Sequence, residues 1–371
     1  MSRGRRLLVS ASPGELRIQL RDGAALAEYA IWRPGLPDGV DDLHRGRVVS
    51  VVPALGGAFV ALAGGAEGFL PDSAGAAGRG VGDLLVVRVV RAGIGGKGPR
   101  LAAQPDAAAD GPSGMALLAR GPGPLLELAG RHPDAPVLID DAAWVPVLRP
   151  ALGERLILVA RAWAEAEAAD AEALAEPSMV LPGGMIAHIH PTPALVAIDI
   201  DSAGASAARA SKASAQMAAN LAALPALAAA IRLRALSGAI LIDFAGLAVR
   251  KRAALAPALA SALAADPAQP RLLGFTRLGL AEIVRPRRRA PLHEMLAGPH
   301  AAGLAALRAI DRMVAADPAR MPVLRAAPAV VSALEADTAA LPALAARTGR
   351  ALRLRSDPGL AAEQWVIEAA R

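Results

Sequence analysis

Between residues 44 and 103, glycine and proline cut the chain into apolar runs too short for helices, and this punctuation narrows the available folds more than any other feature. The runs are Arg47–Val52, Gly57–Leu62, Glu67–Leu70, Asp83–Val90 and Pro99–Leu101. Strands this short, spaced this closely and separated by Gly and Pro turns, predict a small closed β-barrel. Upstream, Leu16, Ile18 and Leu20 recur at period two, the signature of a half-buried strand. Asp22-Gly23 supplies a turn, so residues 6–32 read as a hairpin, and the Pro/Gly/Asp-rich loop from Pro34 to Asp42 marks a boundary.

Residues 104–135 are rich in Gly, Pro and Asp, carry little pattern and read as a linker. From residue 136 the pattern changes to strands alternating with helices. Val137–Ile139, Leu156–Val159, Leu195–Ile198 and Gly238–Ile242 read as strands; Ala205–Leu236 and Ala248–Ala265 read as helices. Residues 297–371 repeat the alternation as a small terminal domain. The whole is an α+β multidomain chain.

Composition excludes several classes. With 371 residues there is ample chain for two or three cores, and a 54% apolar share is too high for a solvated disordered polymer. The absence of cysteine excludes disulfide scaffolds, thiolate metal sites and cysteine nucleophiles. Mean hydropathy is positive, at +0.37. Yet the longest apolar stretches, such as Ala253–Ala265, fall short of the roughly 18 residues of a spanning helix, and the amino terminus lacks the hydrophobic run of a signal peptide. These features predict a cytoplasmic protein with no membrane partner. The net charge of +6 suits a polyanion.

Two constellations could carry chemistry. Asp199 and Asp201, at i and i+2, share one side of an extended segment, and Asp243 ends the apolar run Ile240-Leu-Ile. If the two strands are neighbours, these carboxylates converge on a hard cation such as Mg²⁺. The alternative is strand-end capping, or a salt bridge from Asp243 to Arg232 or Arg234. The second constellation is Phe59 and Phe69, two of only four phenylalanines, ten residues apart in adjacent predicted strands. Aromatic platforms in a basic groove, here supplied by Arg45, Arg47 and Lys97, grip single strands. The alternative is that both rings fill the barrel interior. Gly93–Gly98 lacks the ending of a phosphate loop and reads as a hairpin. His188 and His190 read as strand-face residues. The basic runs Arg285–Arg289 and Arg250–Arg252 read as solvated faces that also suit phosphate contacts.

The ordered set of motifs resembles the bacterial ribonuclease E/G family over most of the chain. In the barrel the resemblance lies in Gly46-Arg-Val-Val-Ser-Val-Val-Pro-Ala-Leu-Gly-Gly-Ala-Phe59-Val, Glu67-Gly-Phe69-Leu-Pro and Gly96-Lys97-Gly98. Further on it lies in Asp199-Ile-Asp-Ser-Ala, Asn220, Arg232-Leu-Arg234-Ala-Leu-Ser-Gly238 and Ile242-Asp243-Phe244. Gly274-Phe-Thr-Arg-Leu-Gly-Leu-Ala-Glu282, Arg285 and the tail around Val323–Val331 follow in family order.

The resemblance implies an OB-fold RNA-binding barrel (39–103) inserted in an RNase H-like subdomain (1–38 and 136–178), with 104–135 as a shortened linker or sensor remnant. A DNase I-like α/β catalytic subdomain (179–296) and a small C-terminal α/β domain (297–371) would follow. It implies a Mg²⁺-dependent endoribonuclease, with Mn²⁺ as an alternative ion, cutting single-stranded RNA to 3′-hydroxyl and 5′-phosphate ends in RNA processing or decay. Asp199, Asp243 and Asn220 would be catalytic; Asp199, Asp243 and Asp201 would hold the metal. Phe59, Phe69, Lys97, Arg47, Arg232 and Arg234 would bind RNA.

Three departures from the family pattern stand out. Asp201 stands where the family usually has Asn. Residues 104–135 are shorter than the family's segment and lack its Arg-Thr pair, which implies no 5′-end sensing. Ala297-Gly-Pro-His300 replaces the two-cysteine zinc motif, so no structural zinc is expected, and any homodimer would form without a zinc link. These losses leave a non-catalytic RNA-binding protein with a decayed nuclease domain as the alternative reading. Pro225 also falls inside the long helix, where proline favours a kink.

Overall fold

A computed structural model describes residues 4–105, 114–202 and 209–369, with side chains from 214 onward in the helix that begins at Arg209. The chain divides into two compact units. One comprises residues 36–127 and 288–290; the other comprises 1–35, 128–287 and 291–371.

Strands β1 (Arg5–Ser12), β2 (Glu15–Asp22) and β3 (Ala25–Trp32) form an antiparallel meander that opens the larger unit. The smaller unit holds β4 (Leu43–Val52), β5 (Gly57–Ala61), β6 (Glu67–Pro71), β7 (Leu84–Arg91), β8 (Arg100–Ala103) and β9 (Ala116–Ala119). Pairing runs β4–β5–β6–β8–β7 and back to β4, so five strands close into an OB-like barrel and β9 adds to β4. The β6–β8 contact is parallel and the other ring contacts are antiparallel. Val48, Ala58, Val60, Leu62, Leu70, Leu85, Val87, Val89 and Leu101 fill the interior. Side chains of this branched aliphatic kind fill the lumen of a small barrel.

Helix α1 (Gly123–Arg131) and β9 both lie in the segment expected to be an unpatterned linker. Four residues of Ala-Leu-Leu-Ala are too few to declare a strand period, and β9 owes its place to pairing with β4. Within that segment, residues 106–113 lie outside the described residues.

In the larger unit, β10 (Val137–Ile139), α2 (Val145–Leu152), β11 (Leu156–Leu158) and α3 (Glu165–Ala173) complete the first sheet, in the order β11-β10-β1-β2-β3. Strand β2 lies between β1 and β3 and is buried on both sides, against the expectation of a half-buried strand. Glu15, Gln19 and Arg21 are almost wholly buried opposite the Leu16/Ile18/Leu20 face. They are tolerated because each is partnered: Gln19 bonds the Glu167 carbonyl, Arg21 pairs with Asp170, and Glu15 is bound by Arg17, Arg33 and Arg308.

The second sheet contains β12 (Ser178–Leu181), β13 (Met185–Pro191), β14 (Val196–Ser202), β15 (Gly238–Asp243), β16 (Arg271–Phe275) and β17 (Ala281–Arg285), in the order β12-β13-β14-β15-β17-β16. The helix α4 (Arg209–Leu233) connects β14 to β15, which pair in parallel; α5 (Val249–Arg252) and α6 (Ala256–Leu263) follow. Ile198, Ile200, Ile240, Ile242 and Ile283 pack against Leu224, Leu227, Ile231, Leu255 and Leu259. Burial of each such side chain contributes at most about 1.5–3 kcal/mol. Sequence periodicity alone set α4 from Ala205; residues 203–208 lie outside the described residues, and the helix continues through Pro225.

By length and hydropathy the Ser214–Leu233 part of α4 meets the test for a membrane-spanning helix, which the sequence reading found in no segment. Here Ala223, Leu224, Leu227, Ala228 and Ile231 make it the core helix of the sheet.

The chain ends with α7 (Leu292–Met295), α8 (Gly298–Ala316), β18 (Pro322–Ala326), α9 (Pro328–Ala336), α10 (Ala340–Thr348), β19 (Arg353–Ser356) and β20 (Trp365–Ala369). The three strands form a small sheet in the order β19-β18-β20 around a core of its own.

Candidate active site and nucleic-acid interface

The second sheet has two unlike faces. Alternation sends Ile198, Ile200 and Ile242 into the core, so Asp199, Asp201 and Asp243 must emerge on the other side. Asp199 is the register partner of Asp243 in the parallel ladder, which sets their Cα atoms about 4.8 Å apart on adjacent strands. Asp199 and Asp201 are exposed, and the Asp243 side chain is 47% exposed. The condition set by the sequence, that the two acid-bearing strands be neighbours, is met.

Asp243 does not pair with Arg232 or Arg234. Its partner is Arg252, whose guanidinium binds the carboxylate at Oδ1. Arg252 is held in turn by the carbonyls of Leu247 (3.0 Å) and Gly279 (3.4 Å), one from the loop after β15 and one from the β16–β17 turn. Its only trace in the sequence was membership of the basic run Arg250–Arg252, which looked like a solvated face.

Asp201 lies toward β13. Its Oδ2 is 3.6 Å from His188 Nε2, and His188 Nδ1 shares a hydrogen bond of 2.8 Å with Ser178 Oγ. His188 is also the register partner of Asp199, so Ser178, His188, Asp199 and Asp243 form one row across four strands. Among the described residues no group of three or more His, Asp or Glu is close enough to hold a metal ion together. The expected triplet Asp199, Asp201 and Asp243 is therefore a side-by-side pair with Asp201 turned to a histidine.

Asn220, expected to be catalytic, is fully buried on the core side of the sheet. Its Nδ2 donates to the carbonyls of Gln216 (2.7 Å) and Ala245 (3.1 Å), the latter two residues beyond Asp243. It anchors the loop that carries Asp243 and does not touch the open face. Arg232 and Arg234, expected to bind RNA, are both engaged by backbone carbonyls, Arg232 half-buried and Arg234 buried. Arg232 donates to the Ala27 carbonyl at 3.2 Å. Arg234, 6% exposed, donates to the carbonyls of Glu176 and Ala173, and burial pushes its pKa below the ordinary arginine value.

Every arginine of the run Arg285–Arg289 is ion-paired, although Arg288 is also exposed. Arg285 is buried with a two-point grip on Asp266 (2.7 and 3.2 Å), Arg287 pairs with Glu294, Arg288 with Asp41 and Glu127, and Arg289 with Asp38 and Glu127.

On the barrel, Phe59 and Phe69 are register partners across β5 and β6, with ring centroids 5.4 Å apart and planes at 64°. Their strand neighbours Ala58, Val60 and Leu70 occupy the interior, so both rings stand half-exposed on the outer wall and do not fill the lumen. Gly57 makes room for them: a Cβ there would lie 2.7 Å from Phe69 Cζ. The row continues from Ser50 beside Phe59 to Arg100 beside Phe69. Arg100, exposed, went unnoticed in the sequence; strand parity with Phe69 would have found it.

Arg47 is exposed on the same wall, whereas Arg45 is 7% exposed and does not line a groove. Lys97 sits at the end of the expected hairpin, where Ile94 and Lys97 exchange two backbone hydrogen bonds of 2.9 Å around Gly95-Gly96. Positive φ at both glycines (54° and 78°) is what this tight turn requires.

The chain thus carries an OB-like barrel and, in its other unit, a mixed sheet that presents two paired acids on an open face. Residues 164–288 match the Ribonuclease E/G family, and the chain is similar to that family over this segment. The matched residues include Asp199, Asp201, Asn220, Arg232, Arg234, Asp243 and Arg252, and they exclude the barrel. No curated protein matches the chain.

Proposed function

We propose that the chain is a Mg²⁺-dependent endoribonuclease that cuts single-stranded RNA, leaving a 3′-hydroxyl and a 5′-phosphate. The observation that carries this reading is the register of Asp199 with Asp243 inside the family segment. Two exposed hard-oxygen donors side by side, open to water, suit Mg²⁺, which keeps several waters and takes one or two carboxylates. When bound, the ion would stabilise charge on the scissile phosphate and favour attack by water. Water oxygen bonds to phosphorus, the P–O3′ bond breaks, and O3′ leaves with a proton.

Asp199 and Asp243 hold the ion. Asn220 positions Asp243 through Ala245, and Arg252 sets the charge balance of the pair. On the barrel, Phe59 and Phe69 stack bases while Lys97, Arg47 and Arg100 face the backbone. The order of the first sheet, with an antiparallel meander followed by two parallel strands, supports the RNase H-like assignment. A sheet with helices on its core side supports the DNase I-like one. Cytoplasmic location, action in RNA processing or decay, and any dimer formed without a zinc link belong to the same proposal.

One observation favours the second reading, a non-catalytic RNA-binding protein: Arg252 already occupies Asp243. Cleavage of an A/U-rich single-stranded oligonucleotide in Mg²⁺ separates the two. The nuclease reading expects wild type to cut at least about 10²-fold faster than Asp199→Asn/Asp243→Asn, the scale of losing several kcal/mol of charge stabilisation. If wild type cuts no faster but still binds the oligonucleotide, the binding-protein reading stands.

A further inference from the structure

We infer that His188 and Asp201 form a second cation site, for a borderline divalent metal that accepts mixed nitrogen and oxygen ligands. It lies beside the Asp199–Asp243 pair, shares no ligand with it, and goes beyond the Mg²⁺ reading above.

The two side chains meet at an ion-pair distance that a shared cation also fits. His188 Nε2 and Asp201 Oδ2 are 3.6 Å apart, too far for a hydrogen bond. With bonds of about 2.1 Å to each atom, that separation corresponds to a ligand–metal–ligand angle of about 118°, between trigonal and tetrahedral. The other imidazole nitrogen, Nδ1, is engaged by Ser178 Oγ at 2.8 Å. In the tautomer with Nδ1–H donating to Oγ, the outer partner fixes the ring orientation and Nε2 keeps the lone pair a metal needs. The His190 ring lies roughly parallel at 6.5 Å between centroids and walls the imidazole on one side.

Both ligands come from paired strands: β13 brings His188 opposite Asp199, and Asp201 is two residues along the same strand. The site is therefore built into the sheet and not into a loop. His188 and Asp201 side chains are 34% and 67% exposed, so an ion could enter from solvent and keep open positions. Two protein ligands leave those positions to water or to phosphate oxygens of a bound strand. An imidazole nitrogen selects against Mg²⁺ and for Mn²⁺ or later first-row ions.

The test uses the full chain and Mn²⁺ alone, read by pulsed electron paramagnetic resonance for coupling to ligand ¹⁴N. Wild type and Asp199→Asn/Asp243→Asn are expected to show one nitrogen-coupled ion, and His188→Gln and Asp201→Asn are expected to lose it. Wild type should also bind Mn²⁺ at least about tenfold tighter than Mg²⁺, a preference that His188→Gln abolishes. No nitrogen coupling at saturating Mn²⁺ would overturn the inference, as would coupling that survives His188→Gln. Coupling lost in the Asp199/Asp243 double variant overturns it too, since the ion would then belong to that pair. If His188→Gln does not fold, Asp201→Asn carries the same comparison. Oligonucleotide cleavage by the double variant reports separately on the nuclease reading, so either proposal can fail without the other.

Discussion

Arg252 and Asp243 are bound to each other on the open face of the second sheet, and Arg252 is fastened by backbone carbonyls from two different loops. The guanidinium would have to break those bonds to swing away from the carboxylate. A tethered positive charge lowers the affinity of its partner for a divalent ion. The expected result is that Arg252→Gln binds Mg²⁺ more tightly, by about fivefold at most since Asp243 is half exposed and screened. Isothermal titration measures the gain; unchanged affinity would show that the ion pair does not compete.

The outward rings of Phe59 and Phe69 make binding separable from folding. Each alanine substitution should weaken a single-stranded oligonucleotide by about 1–3 kcal/mol, because one stacking platform is lost. The melting temperature should stay near that of wild type, since the interior is filled by Val48, Val60, Leu70, Val87 and their neighbours. Fluorescence anisotropy beside a thermal melt reads both. A large loss of stability with unchanged binding would place the rings in a structural role.

Arg234 gives the opposite pattern. Its guanidinium bonds two carbonyls from beneath the surface, so Arg234→Ala should cost about 2 kcal/mol or more of stability and leave intrinsic RNA affinity unchanged. Denaturant unfolding and anisotropy on the folded fraction check this. Weaker binding at full stability would restore it as an RNA contact.

Glu15 supplies a pH signature. Burial pushes its carboxyl pKa up, but Arg17, Arg308 and Arg33 together pull it below its ordinary value of 4.5. A carboxyl depressed in the folded state stabilises above its unfolded pKa, and that contribution is lost as pH falls through the folded value. Glu15→Gln should therefore cost about 3 kcal/mol or more at neutral pH, as breaking a buried ion pair does. The gap from wild type should narrow progressively below about pH 4.5. Melting temperatures across that range decide; a gap that is constant with pH would mean the carboxylate charge is not what stabilises.

The barrel was legible because its signal is local: period-two apolar residues cut by Gly and Pro need no knowledge of the rest of the chain. Asp199 and Asp243 were legible for the same reason, as acids breaking apolar strands that would otherwise be buried. The arginines were not. Arg232 finds its acceptor 205 positions away at Ala27, and Arg234 finds one 58 positions away at Glu176. Composition shows a positive charge and says nothing of whether a phosphate or a carbonyl meets it. The surroundings of Asn220 were hidden for a related reason: its amide meets the backbone of Ala245, 25 positions away. His188 read only as a strand-face residue because its partners, Ser178 and Asp201, sit on neighbouring strands.

The two-faced strand β14 has a consequence for how errors propagate. Ile198 and Ile200 belong to the core, and the alternating Asp199 and Asp201 belong to the open face. A slip of one residue would drive both acids into the hydrophobic interior and expel both isoleucines, at a cost no fold of this size absorbs. Chains that reach the native state have therefore already had the alignment of their acids checked by folding itself. Losses of activity in this scaffold are then expected to arise from changed side chains on an intact sheet, and a shifted strand should appear as missing protein.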